Sequence, residues 1–142
     1  MKTAVVNTSQ IQRRWYLVDA ADMALGRVSS KVAGLLMGKG KVAYSPNQDH
    51  GDNIVVINSS RVRLSGTKAA TKEYFRHTTF PGGGKTRSFR EQMELDSTQV
   101  IRHAVKGMLP KGPLGRSLFK KLYVYGEESH PHAAQKPQPL AV

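Results

Sequence analysis

The stretch GGGKT, Gly82–Thr86, carries the residue types of a phosphate-binding loop. A nucleotide-hydrolysing P-loop also needs a glycine ahead of four spacer residues and a helix opening at the lysine. Thr79 stands where that glycine belongs, and Pro81 interrupts the approach. The stretch therefore reads as a flexible loop whose backbone can come close to a phosphate, with Lys85, Arg87 and Arg90 alongside. GKGKVA, Gly38–Ala43, has a superficial dinucleotide-loop spacing, but it ends a helical pattern instead of opening one. DHGD, Asp49–Asp52, reads as a structural turn and cap, because neighbouring residues in a glycine turn seldom converge on one ion. His130 and His132 flank Pro131 without a nameable third ligand, so packing, hydrogen bonding or RNA contact suits them better than a metal.

Nucleophilic chemistry is equally thin. Cysteine is absent, no serine sits in a G-x-S-x-G elbow, and no acid occurs between Ile101 and Gly126. Active sites usually pair groups whose environments split their pKa values, and no such pair stands out. The expectation is a non-enzyme with no catalytic residue, cofactor, metal or small-molecule substrate.

What the sequence has in excess is cations. Lys and Arg number 22 against 10 Asp and Glu, a net charge of +12 over 142 residues, which attracts polyanions. One group comprises Arg61, Arg63, Lys68, Lys72, Arg76, Lys85, Arg87 and Arg90, with Glu73 the only acid in that span. A second comprises Arg102, Lys106, Lys111, Arg116, Lys120 and Lys121. Solvated faces normally mix signs, whereas these runs are nearly single-signed and fit phosphate neutralisation. Tyr74, Phe75 and His77 interleave with the first group and can stack on unpaired bases or pack in a core. The expected RNA contacts are Arg27, Lys39, Lys41, Arg61, Lys68, Arg76, His77, Lys85, Arg87, Lys106, Lys111, Arg116, Lys120 and Lys121.

These residues need a scaffold. The length suits one domain with a real core, and 39% of residues are apolar. The longest apolar run, Ile54–Ile57, is strand-sized, well short of the ~18 residues of a membrane span. No signal or transit peptide is evident, and with no cysteine a cytoplasmic setting fits. Trp15–Ala20 reads as a buried strand. Leu25, Val28, Val32, Leu35 and Leu36 fall at helical spacing, with Gly38 and Gly40 as the stop and Lys39 and Lys41 where a helix dipole favours cations. IVVIN reads as a β-branched strand, SSRVRLSG as a second short strand, and KEYFRHTTF as a third that leads into the PGGGKT loop. A short helix follows from Ser88 to about Leu95. Ser97 is then expected to cap a helix with Val100, Ile101, Ala104, Val105 and Met108 on one stripe and Arg102, His103 and Lys106 opposite. Gly112-Pro113 starts another helix, and LYVY is a last strand. Strands interleaved with helices predict a three-layer α/β domain. The expected division is an arm over 1–14, one α/β domain over 15–126 and an extended, proline-rich tail over 127–142.

In this order, WYLVDA with LGR, DHGDNIVVIN, SGTK, YFRHT with its glycine loop, VKGMLPKGPLGR, LYVY and HPHAAQKP resemble the bacterial form of the large-subunit ribosomal protein L-thirteen family. The resemblance covers nearly the whole chain. LGRVSS, YSP and SGTK depart from the family pattern only by conservative changes. The resemblance implies an α/β/α sandwich around a small, mainly parallel four-stranded sheet with basic loops and an extended tail. It also implies a structural role: binding large-subunit rRNA, joining early in subunit assembly and sitting among other large-subunit proteins, with neither a membrane nor a homo-oligomer. A bacterial ribosome is favoured over an organellar one. Two alternatives stay open at this point: a phosphate-handling enzyme using Lys85–Thr86, and an RNA-binding regulator acting off the ribosome, for example on messenger RNA.

Overall fold

A computed structural model describes residues 10–140. Residues 1–9 of the expected arm and 141–142 of the tail lie outside the described residues. Along the chain come β1 (Trp15–Asp19), α1 (Leu25–Met37), β2 (Asn53–Ile57), a 3-10 turn (Ser59–Arg61), α2 (Lys68–Thr71), β3 (Glu73–His77), β4 (Gly84–Ser88), α3 (Phe89–Met108), α4 (Pro113–Phe119), β5 (Leu122–Val124), a second 3-10 turn (His132–Gln135) and β6 (Gln138–Leu140).

The four-stranded sheet has the order β5-β2-β1-β6 and is parallel throughout. Its centre follows from the β-branched run in β2. Ile54, Val55, Val56 and Ile57 are all buried, so the strand reads as continuous apolar sequence instead of alternating. Each such side chain stabilises the fold by roughly 1.5–3 kcal/mol. One face of the sheet presents Val18, Ile54, Val56, Leu122 and Val124. It meets Val28, Val32 and Leu36 of α1 and Val100, Ile101 and Val105 of α3 in the main core.

The other face carries Trp15 and Tyr123, whose rings stack 5.5 Å apart. The returning tail closes over it. His132 lies 4.5 Å from the Tyr123 ring, and its Nε2 is 2.7 Å from the Tyr125 hydroxyl. Pro139 in β6 is tolerated because that strand is at the edge, where a missing N–H breaks no further pairing.

Three local expectations change. SSRVRLSG is not a strand but the first 3-10 turn followed by a single bridge, Ala24 to Arg63. Asn58 turns the backbone with φ of 57°, and the N–H groups of Ser59 and Ser60 donate to the carbonyls of Tyr125 and Gly126. The loop after β3 is a hairpin whose second strand, β4, starts at Gly84 and includes Lys85 and Thr86. Finally, the helical break falls at Asp96, with φ −161° and ψ 97°, and divides α3 into two segments. Asp96 Oδ1 accepts from the Thr98 N–H at 2.9 Å and so caps the second segment, while Ser97 Oγ instead pairs with Ser59 Oγ at 2.9 Å.

The glycine-rich turn VKGMLPKGPLGR works by close approach. A Cβ on Gly115 would sit 1.8 Å from the Pro110 carbonyl oxygen. Only glycine lets the first turn of α4 fold onto the end of the preceding loop.

Candidate nucleic-acid interface

β3 and β4 form an antiparallel ribbon in which Tyr74 faces Arg87 and Arg76 faces Lys85. Like charges directly opposite each other weaken a sheet pair, by a few tenths to about 1 kcal/mol. Glu73, the one acid within the ribbon, stands opposite Ser88, and Glu91 and Glu94 of α3 line a shallow hollow with Arg87. Its direction is fixed where β4 runs straight into α3: Ser88 Oγ accepts from the Glu91 N–H at 3.3 Å and Glu91 Oε2 from the Ser88 N–H at 2.9 Å. This reciprocal cap satisfies the first N–H groups of α3 and fixes how β4 enters the helix.

Between the ribbon and α3 lies a groove of about 610 Å³ lined by Tyr74, Phe75, Arg76, Thr78, Lys85, Arg87, Gln92, Gln99, His103 and Lys106. Among the described residues no carboxylate lines it. Tyr74 meets His103 edge to face at 5.4 Å, and the Lys72 ammonium lies 5.3 Å from the Tyr74 ring centre. Among the described residues the buried Tyr74 hydroxyl has no hydrogen-bond partner, and burial raises its pKa. The groove thus unites three members of the first cationic group with Lys106 of the second. Among the described residues, none of these four cations is ion-paired.

Lys85 and Thr86 sit on a strand, so the residues that mimic a P-loop never reach a helix N-terminus. Gly83 is confined by the hairpin turn, where a Cβ would lie 2.0 Å from Thr78 Oγ1.

The remaining expected contacts spread over the surface. Arg27 is exposed in the first turn of α1, Lys39 follows the left-handed Gly38 that caps this helix, and Arg61 ends the first 3-10 turn. Lys68 opens α2. His77 closes β3, its Nδ1 accepting from the Thr79 N–H at 3.0 Å. Lys111, Arg116 and Lys120 are exposed before, within and just after α4.

Lys41 and Lys121 face inward. Lys41 Nζ donates to Asp52 Oδ1 at 2.6 Å and to the Gln12 carbonyl at 2.8 Å. Lys121 is ion-paired with Asp49, which Arg13 also approaches at 3.5 Å. Burial pushes the Lys121 ammonium below the usual lysine range, with Asp49 acting in the opposite direction. DHGD is accordingly a structural element. Asp52 also accepts from the Arg14 N–H at 2.8 Å, tying the start of β1 to that of β2.

Gln92, Gln99 and His103 were not among the expected contacts. Gln99, His103 and Lys106 lie at i, i+4 and i+7, one helix face opposite Val100, Ile101 and Val105, and that spacing was the available signal.

The family model described as ribosomal protein L13 matches residues 13–131. The chain belongs to the ribosomal protein L13 family. It is 51% identical over 141 residues to the large ribosomal subunit protein uL13 of Treponema pallidum, covering 99% of each chain. To the proteins of the same name from Nitrosococcus oceani and Teredinibacter turnerae it is 49% and 51% identical over 142 residues, covering all of both chains. The family is one of structural ribosomal components, not enzymes, which removes the phosphate-handling alternative.

Proposed function

We propose that the chain is a structural constituent of the large ribosomal subunit in the bacterial cytoplasm, bound to large-subunit rRNA through its unpaired cations. The observation that carries the reading is the acid-free groove holding Arg76, Lys85, Arg87 and Lys106. An anion between or beside an arginine and a lysine that stand opposite each other on the ribbon offsets their mutual repulsion. Phosphates of packed RNA supply that anion.

The exposed Arg27, Lys39, Arg61, Lys68, Lys111, Arg116 and Lys120 extend the contact over other faces, as a protein wedged among several RNA segments requires. Early entry into the assembling subunit and contacts with neighbouring large-subunit proteins belong to the same proposal and rest on family membership. The division into an arm over 1–14, an α/β domain over 15–126 and a tail over 127–142 is proposed with the tail's β6 supplying the edge strand of that domain's sheet.

The test is the salt dependence of binding to large-subunit rRNA. Neutralising at least six phosphates makes affinity fall roughly 1000-fold between about 50 and 200 mM monovalent salt. Affinity that holds constant across that range would refute a backbone-neutralising role.

A further inference from the structure

We infer that the outer face of the β3–β4 ribbon, turned away from α3, docks an apolar and basic segment of a neighbouring large-subunit protein. This rests on the reading above of a chain seated among other large-subunit proteins, and it names the surface and the partner's chemistry. Side chains alternate along a strand, so the pairing register divides the ribbon into two faces. Tyr74, Arg76, Lys85 and Arg87 fall on the groove side, while Glu73, Phe75, His77, Gly84 and Thr86 fall on the other. The division is visible at Gly84, where a Cβ would lie 3.2 Å from Phe75 Cε2 and 3.8 Å from His77 Cδ2. The outer face therefore has no lysine or arginine from either strand, and it carries the acid Glu73.

A two-stranded ribbon is marginal in water unless an apolar face packs against something, yet Phe75 is 68% exposed. The foot of the ribbon continues the same chemistry. Glu73 stands opposite Ser88, whose N–H donates to Glu91 Oε2, and Glu91 lines a shallow hollow of about 350 Å³ with Glu94, Leu95 and Arg87. Leu95 is 65% exposed. Three of the chain's ten acids thus stand beside two uncovered apolar side chains, in a protein of net charge +12. A nucleotide stacked on Phe75 would bring its phosphate toward carboxylates, with no lysine or arginine on that face to neutralise it. A protein segment with lysines or arginines finds partners in Glu73, Glu91 and Glu94, and its apolar side chains cover Phe75 and Leu95. The ribbon is then a divider, with RNA on its cationic side and protein on its aromatic side.

The experiment replaces Phe75, Leu95 or Lys85, one at a time in the full chain, with the photoreactive p-benzoylphenylalanine. Large subunits purified from cells expressing each tagged chain are then irradiated. Adducts at positions 75 and 95 are expected to survive ribonuclease and to map to a peptide of another protein that carries apolar side chains with lysine or arginine. The adduct at position 85, on the groove face, should be lost with the RNA. Thr86→Lys sets a cation opposite position 75 and should cut the yield of the protein adduct there roughly tenfold. A ribonuclease-sensitive adduct at position 75, an acidic partner peptide, no adduct at positions 75 and 95, or an undiminished yield with Thr86→Lys would each overturn the docking proposal while leaving RNA binding in the groove intact. A tagged chain that never sediments with the large subunit would instead overturn the broader reading, and this inference with it.

Discussion

Two regions of the molecule use the same cations for opposite ends. Around DHGD, Lys41 and Lys121 meet Asp52 and Asp49, and their ammonium groups are turned into the fold. In the ribbon–α3 groove, Arg76, Lys85, Arg87 and Lys106 stand together with no carboxylate among the lining residues. The first region ties the starts of β1 and β2 to α1 and β5. The cations of the second form no ion pair among the described residues and, through like-charge opposition, slightly weaken the ribbon that carries them. The difference lies in whether an acid is within reach, not in the number of lysines and arginines.

The comparison can be broken most forcefully by reversing charge in the groove. Arg76→Glu with Lys85→Glu should lower affinity for large-subunit rRNA roughly 100-fold at about 0.1 M salt, measured by filter binding. The thermal midpoint should stay within about 2 °C of wild type, because neither side chain has a partner to lose. A matching collapse of stability would place these residues with the structural cations.

The converse substitution is Asp52→Ala. Its side chain is 4% exposed and holds Lys41 and the Arg14 N–H, so removing it strands a half-buried ammonium. Denaturant unfolding should show a loss of about 3 kcal/mol. RNA affinity measured on the folded fraction should not change.

Single exposed cations outside the groove sharpen the picture at a smaller scale. Arg61→Ala or Lys111→Ala should each weaken rRNA binding about two- to fivefold and reduce the salt slope by about one. A larger effect from either would move the centre of the interface away from the groove.

The smallest effect concerns acid pH. Hydrogen bonds from Thr98 hold the Asp96 carboxyl below its usual range, and those from Asn58 and Ala21 do the same for Asp19. A folded pKa below the unfolded value of about 3.9 means stability that is fully present above that pH and lost as pH falls through the folded value. Melting curves between pH 6 and pH 3 should show a smaller decline for Asp96→Asn than for wild type. Asp96 caps the helix segment that forms one groove wall, so this experiment also reads how firmly that wall is held.

Much of the scaffold was legible because burial writes itself into periodicity. The run Ile54–Ile57 and the stripe of α1 correspond to the centre of the sheet and the helix packed beside it. Elements fixed by distant partners were less legible. GKTRS has no β-forming pattern, and β4 exists because β3 pairs with it and Ser88 anchors its end. SSRVRLSG alternates like a strand, yet hydrogen bonds to Tyr125 and Gly126, far along the chain, bend it into a turn. The cationic site was half legible for the same reason. Residue types named Arg76, Lys85, Arg87 and Lys106, but their convergence depends on the hairpin and the kinked α3. Lys41 and Lys121 looked no different in sequence, and only the fold brings carboxylates to them.

If the unpaired cations of the groove anchor the chain in the large subunit, reversing their charge must release it. The direct measurement is to express tagged wild type and the Arg76→Glu, Lys85→Glu, Lys106→Glu variant, and to quantify each across a sucrose gradient at low magnesium, where the subunits separate. Wild type is expected in the large-subunit peak and the folded variant at the top of the gradient. A variant that co-sediments with the large subunit at wild-type stoichiometry would contradict that anchoring.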